Sequence, residues 1–271
     1  MNGPEDFDGR VAIVTGAARG IGRGIAEGLR EHGARVAFLD INTELLDEFD
    51  TSHGERAMVG SVDVTSPEGV SEAFQRVVDR WGGVDILVHC AAISTPHVAA
   101  DLTPATWQKI IDVNLNGTFY TDTEAIRHMR ERGYGRVINV ASVAARRISY
   151  NGSAAYTASK EGVLGLTRHL AYESARDGIT INAICPGATV TPLMESLADE
   201  EVLAARAKTI PIGRLNIIDD YVAAVLYLAS THASGVCGAV LDVDGGALLG
   251  WTDVDSYFDR RAELTARFES K

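Results

Sequence analysis

The stretch "SAAYTASKEG" (153–162) places Tyr156 and Lys160 four positions apart among small residues. On a helix this spacing puts a phenol and an ammonium on one face, one turn apart. The pair alone is equally an ordinary helix turn, so other residues must decide whether it does chemistry. The first are the glycines of "VTGAARGIG" (14–22), which follow an apolar run and open a helical pattern. Gly16, Gly20 and Gly22 allow a tight turn and close approach of backbone to a pyrophosphate. The N–H groups of Gly20, Ile21 and Gly22 then face its negative charge.

Asp40 follows Gly22 by 40 − 22 = 18 residues, at the end of a second apolar run. A carboxylate there can accept hydrogen bonds from both hydroxyls of an adenosine ribose, and it would repel a 2′-phosphate. That favours NAD over NADP. Arg19 pulls the other way, because a guanidinium in the glycine loop can pair with such a phosphate. NAD is the expectation, since Asp40 would sit directly on the ribose; a helix N-cap is the competing role for Asp40.

The elements that must hold these residues alternate along the chain. Apolar runs at 10–16, 34–40, 58–64, 84–92, 135–142, 179–187 and 239–246 are mostly rich in Val and Ile on consecutive positions, as in parallel strands buried on both faces. Segments of helical period lie between them, including 21–29 and 70–78. Ser66 is the expected N-cap of the latter, with Pro67 at its first position. The pattern predicts an α/β fold, a doubly wound, Rossmann-like, seven-stranded parallel sheet with helices on both faces, in a single domain over 1–271 with its core at 8–246. Two segments break the rhythm. Residues 188–215 are too long for an ordinary connection and are expected to carry helix and cover the site. The tail 247–271 has Val254, Phe258 and Arg261 at helical spacing and is expected to add a terminal helix for subunit packing or a solvated end.

Composition narrows the function. With 46% hydrophobic and 23% charged residues the chain can bury a sizeable core. Its 25 basic and 37 acidic residues give a net charge of −12, which argues against nucleic acid and anionic membrane surfaces as partners. The N-terminus lacks signal-peptide character and no apolar run is long enough to span a bilayer. Three scattered cysteines, Cys90, Cys185 and Cys237, without metal-ligand spacing, fit thiols in a reducing, cytoplasmic setting. No metal site is expected.

Thr15-Gly16-x-x-x-Gly20-Ile21-Gly22, Asp63-Val64, Asn114, Ser142, Tyr156-x-x-x-Lys160 and Pro186-Gly187-x-x-x-Thr191 occur in the order found in the short-chain dehydrogenase/reductase family. The chain resembles the single-domain branch of that family over roughly 8–246. The resemblance implies that Asn114, Ser142, Tyr156 and Lys160 surround a nicotinamide. Tyr156 would exchange a proton with the substrate oxygen. Acting near neutrality asks its phenol for a fall of about 3 in pKa, roughly 4 kcal/mol. A cation about 4 Å away supplies a comparable amount at an effective dielectric of 20. Lys160 is placed to be that cation and, by resemblance, to hold the nicotinamide ribose. Ser142, at the end of the fifth strand, would bind the substrate oxygen. Asn114 would anchor a water relaying protons from Lys160.

By the same resemblance Asp63 and the Val64 amide, ending the third strand, meet the adenine. Pro186 and Gly187 turn beneath the nicotinamide, and Thr189 and Thr191 hold its carboxamide. After the fourth strand the family commonly reads Asn-Asn-Ala-Gly, whereas this chain has His89-Cys90-Ala91-Ala92. Cys90 and Ala91 would keep the backbone contacts to the cofactor, and His89 would be a satisfied buried histidine bracing the sheet. Arg146, Arg147 or Tyr150 would border the substrate pocket, lined by 93–99 and 143–152, with Ser149 and Ser153 as rivals to Ser142. Leu193, Met194 and Leu197 suggest an apolar or mixed pocket, or simply packing.

The expected function is an NAD-dependent oxidoreductase acting on a secondary alcohol or its ketone. The expected assembly is a homotetramer using helices at 104–130 and 154–176. The alternatives are an NADPH-dependent ketone or 3-oxoacyl-carrier-protein reductase, a non-catalytic dinucleotide-sensing regulator, and an epimerase or dehydratase of the wider superfamily. The intact Asn-Ser-Tyr-Lys set argues against a sensor, and the lack of a larger C-terminal substrate domain argues against the last.

Overall fold

Seven short strands pair in parallel in the order β3-β2-β1-β4-β5-β6-β7. They are β1 (Val11–Thr15), β2 (Arg35–Asp40), β3 (Ala57–Ser61), β4 (Ile86–His89), β5 (Gly135–Val140), β6 (Ile179–Pro186) and β7 (Val240–Val243). The computed structural model describes residues 7–46, 54–190, 200–250 and 253–270. Every residue of β1, β5 and β6 is buried, which is why their sequences are apolar without alternation. One apolar cluster covers each face of the sheet, with Ile25, Leu29, Phe38 and Val225 on one side and Phe74, Val77, Met129 and Ile181 on the other.

The helices are α1 (Gly20–Glu31), α2 (Pro67–Trp81), α3 (Pro104–Ile111), α4 (Gly117–Arg132), α5 (Ala154–Ser174), α6 (Glu200–Lys208), α7 (Ile218–Ala229) and α8 (Val254–Glu269). Ser66 caps α2 by accepting from the Gly69 amide at 3.0 Å, with Pro67 next, as its sequence predicts. A π-helical turn at Asp112–Asn116 joins α3 to α4, inside what the pattern reads as one helix. Such a turn inserts an extra residue and re-aims a side chain, here around Asn114.

Four of the runs overshoot the ends of their strands by two residues or more. β3 stops at Ser61, β4 at His89, β5 at Val140 and β7 at Val243. Asp63 and Val64 therefore follow β3 rather than end it, and Ser142 lies beyond β5. After β3 and β5 the cause is that the chain stays buried once it leaves the sheet: Val62, Val64 and Ala141 are all buried. Apolar character reports burial, not pairing. Within 188–215 the described helix is α6, and the terminal helix extends well past Arg261 to Glu269.

The strand order reverses between β1 and β4, so their connections leave in opposite directions. A crevice opens at the carboxyl ends of the two strands, which is where open α/β sheets take ligands. The turn after β1 and residues 90–92 after β4 form its walls.

Candidate active site

The floor of the crevice is backbone against backbone. Gly16 has φ +65°, and a Cβ there would lie 2.8 Å from the Ala91 amide nitrogen. Thr15 fixes that approach: its hydroxyl oxygen accepts from the amides of Cys90 at 3.2 Å and Ala91 at 3.4 Å. Gly22 abuts the Gly16 carbonyl and the Cys90 side chain in the same way. Only hydrogen fits at these positions.

α1 starts here without a cap. Its N-cap is Arg19, which makes no side-chain cap hydrogen bond, and its first turn holds no acidic residue. The first N–H groups of the helix thus keep their positive end toward the crevice, and Gly20 has open space where a Cβ would project. A pyrophosphate fits this cradle, so the chain can hold a dinucleotide. Gly16, Gly20, Ile21 and Gly22 are together at this point as the sequence predicts.

Asp40 stands at the end of β2, with its oxygens accepting from the Ala18 and Asn42 amides, each at 3.0 Å. These bonds tie the carboxylate to the glycine turn and leave each oxygen a further lone pair for a ribose hydroxyl. Arg19 is exposed on the side of a groove of about 560 Å³ between α1 and α7. Asp63 accepts from the Thr65 amide at 2.9 Å and hydroxyl at 2.7 Å, and Val64 packs where Gly117 leaves room.

The polar side chains gather at the C-terminal ends of β4, β5 and β6. Ser142, whose Oγ accepts from the Ala144 amide at 3.0 Å, stands beside the Tyr156 hydroxyl. Burial pushes the Tyr156 phenol up from its ordinary value, and the neighbouring Ser142 hydroxyl opposes that. Lys160, buried one turn on, donates to the Val140 carbonyl at 2.8 Å and lies 5.9 Å from the centre of the Tyr156 ring. Burial brings its pKa down to about 8. The ammonium thus sits on the tyrosine's side of the helix with one of its protons committed to the end of β5.

Asn114 ties two walls together. Its Oδ1 accepts from the Ile93 amide at 2.8 Å, and its Nδ2 donates to the Ile93 carbonyl at 2.9 Å and to Ser159 Oγ at 3.0 Å. Ser159 in turn donates to the Tyr156 carbonyl at 2.8 Å. Ser159 escaped the sequence reading, which noted it only as small; its position three residues after Tyr156 was the available signal. Gly152 is also tightly placed, since a Cβ there would lie 2.7 Å from Tyr156 Cδ1 and 2.6 Å from Ser149 Oγ. Ser149 and Ser94 thus border the tyrosine ring. Ser153 Oγ is buried without a hydrogen-bond partner.

Below this level runs a polar row. Thr15, His89 and Asn139 are register partners on β1, β4 and β5. His89 Nδ1 lies 3.0 Å from the Thr15 hydroxyl and 2.9 Å from that of Thr121, which ties the sheet to α4, but its Nε2 is buried without a hydrogen-bond partner, so the expected satisfied histidine is found at one ring nitrogen and not at the other. Burial, then the Lys160 charge, lowers its pKa to about 3, which keeps it neutral. Asn139 donates to Asp122 at 2.8 Å, and burial raises that carboxyl to about 7. Burial likewise holds the Cys90 thiol up at about 12.

On the far side of the crevice Pro186 ends β6 and Gly187 turns beneath Asp244, where a Cβ would meet its Cα at 2.7 Å. The Thr189 hydroxyl contacts Tyr221 at 2.6 Å and donates to the Gly187 carbonyl at 3.0 Å. Thr191, Leu193, Met194 and Leu197 lie outside the described residues. Among those described, no group of His, Cys, Asp and Glu could hold a metal, and no helix is long and apolar enough to cross a membrane.

Comparison with known proteins agrees with this geometry. Residues 16–247 match a family model described as enoyl-(acyl carrier protein) reductase. The chain is 36% identical over 241 residues to the 3-oxoacyl-acyl-carrier-protein reductase FabG of Vibrio cholerae serotype O1, covering 89% of this chain and 98% of that protein. It is 37% identical over 245 residues to the NAD(+)-dependent 2-dehydro-3-deoxy-L-rhamnonate dehydrogenase of a Sphingomonas species, covering 89% and 96%. The crystal structure of gox2181 superposes with a TM-score of 0.84 at 35% identity, covering 91% of this chain and 98% of that one. The chain belongs to the short-chain dehydrogenase/reductase family and is an oxidoreductase acting on an alcohol or its ketone.

Proposed function

We propose that the chain is an NAD-dependent dehydrogenase of a small secondary alcohol, working with Tyr156 as general acid/base. The observation that carries the reading is the joint placement of an uncapped helix start, a backbone-lined crevice and the Ser142–Tyr156–Lys160 cluster at one switch point. A bound nicotinamide supplies the acceptor or donor of hydride. Gly16, Gly20, Ile21 and Gly22 bind its pyrophosphate. Asp40 takes the adenosine ribose, Asp63 and Val64 the adenine, and Cys90 and Ala91 the intervening backbone contacts. Pro186 and Gly187 would turn beneath the nicotinamide, and Thr189 and Thr191 would hold its carboxamide.

Ser142 orients the substrate oxygen and donates to it as negative charge grows there. Tyr156 holds the proton that this oxygen gains or loses. Lys160 binds the nicotinamide ribose and, with the oxidised ring's positive charge, favours the phenolate. Asn114 holds Ile93 and Ser159 in position and supports the water path by which protons leave Lys160. Asp40 favours NAD, and the likeness to an NAD(+) dehydrogenase supports that choice; the likeness to FabG supports the NADPH alternative.

Residues 188–215 cover the pocket, and 93–99 and 143–152 line it. Exposed Trp107, Phe119 and Tyr172 on α3, α4 and α5 suit a homotetramer built on these helices. The three free thiols suit a reducing, cytoplasmic setting. An absorbance assay at the reduced-nicotinamide band, with NAD and NADP against cyclic, aromatic and acyclic secondary alcohols, tests the reading. Turnover faster with NADP would overturn the cofactor choice.

A further inference from the structure

The segment after β6 carries a cation that the chemistry above does not use. The loop from Ser142 to Tyr156 holds Arg146 and Arg147 and no acidic residue, in a chain of net charge −12. Two of the nearby guanidinium groups are committed: Arg146 pairs with Asp242 at 3.3 Å, and Arg147 donates to the Ala247 carbonyl at 3.2 Å. Arg206 is different. It projects from α6, the helix of the 188–215 segment, and its guanidinium lies 5.9 Å from the centre of the Tyr150 ring. Among the described residues no carboxylate pairs with it, and it is half-buried.

Tyr150, 91% exposed, belongs to the same loop as the catalytic tyrosine. Gly152, two residues on, touches the Tyr156 ring, so the Cα of Tyr150 is at most about 7 Å from a residue in contact with the reacting group. Ile148, beside it, is also exposed. The loop that reaches the Tyr156 ring thus exposes two apolar side chains, and beside the Tyr150 ring stands a planar cation that no described carboxylate neutralises. A guanidinium so placed suits the two oxygens of a carboxylate.

Building on the oxidoreductase reading, we propose that the substrate is a hydroxy acid or the matching oxo acid, with an apolar body lying along Tyr150 and Ile148 and its carboxylate bound by Arg206. The probe is cyclohexanecarboxylate, titrated calorimetrically into the full chain saturated with NAD⁺, beside its methyl ester. The acid is expected to bind at least tenfold more tightly than the ester. Arg206→Gln should erase that preference and Arg206→Lys restore part of it. Equal binding of acid and ester, no binding of either, or an unchanged preference in Arg206→Gln would overturn the proposal. So would binding of pantetheine 4′-phosphate in place of the acid, which would assign the anion site to a coenzyme phosphate. NADH fluorescence on the wild type keeps the two readings apart. If NADH fails to bind, the NAD-dependent reading fails; if it binds and the carboxylate preference is absent, only the hydroxy-acid assignment does.

Discussion

The two sides of the crevice are built from different materials. The side proposed for the cofactor, at the ends of β1, β2 and β4, is glycine, backbone amide and helix terminus, with Asp40 the chief charged group on it. The side proposed for the substrate, at the ends of β5 and β6 and along 143–152 and 200–216, is made of side chains, several of them largely exposed. Backbone contacts tolerate no added atom and recognise what all dinucleotides share. Side chains exchange freely and set what differs between relatives. A change on the first side should therefore abolish binding, and one on the second should redirect it.

The largest effect is expected at Gly16. Valine there combines a positive φ with a Cβ 2.8 Å from the Ala91 backbone nitrogen, which the Thr15 hydroxyl holds in place. NADH affinity, read by fluorescence, should fall by about a thousandfold, the equivalent of roughly 4 kcal/mol. Retained affinity would show that the backbone floor is not where the dinucleotide lies.

Beneath both sides, Asp122 offers a pH test of the buried row. Its folded pKa is raised from 3.8 to about 7 by burial, so the folded chain prefers the protonated form. The stability this contributes is fully present below the unfolded value and is lost as pH rises through about 7, on the order of 4 kcal/mol in all. Urea midpoints should fall between pH 4 and 8 in the wild type, and Asp122→Asn should flatten that slope. A slope equally steep in the variant would contradict the assignment.

A smaller change is expected at Asp40. Replacing it with Ser removes the charge that would meet a 2′-phosphate, and the ratio of kcat/KM for NAD over NADP should drop at least tenfold. An unchanged ratio would pass control of the choice to Arg19. The smallest effect is at Ser159, whose hydroxyl links Asn114 to the Tyr156 carbonyl. Ser159→Ala should cost a few-fold in kcat with little change in KM, since a neutral hydrogen bond is worth about 1 kcal/mol.

The same contrast explains what the sequence revealed. Gly16, Gly20, Gly22 and Asp40 were legible because steric exclusion and charge act through residue type and spacing. The seven runs were legible because burial on both faces leaves no polar position. Strand ends were not, since Val62 and Val64 stay buried after the pairing stops. The turning of the Lys160 ammonium to the Val140 carbonyl, the Asn114–Ser159 link and the raised Asp122 carboxyl depend on which side chains the tertiary fold brings together. Arg206 and Tyr150 are 56 positions apart (206 − 150 = 56) and meet only in the folded chain.

The central claim is that the Ser142–Tyr156–Lys160 cluster moves a proton at a crevice that holds a nicotinamide dinucleotide. The most direct measurement compares wild type and Tyr156→Phe for NADH binding and for turnover of the best secondary alcohol in the panel. The account predicts that binding persists while turnover falls by at least a hundredfold, as loss of a positioned acid/base implies. Full turnover in Tyr156→Phe would contradict it.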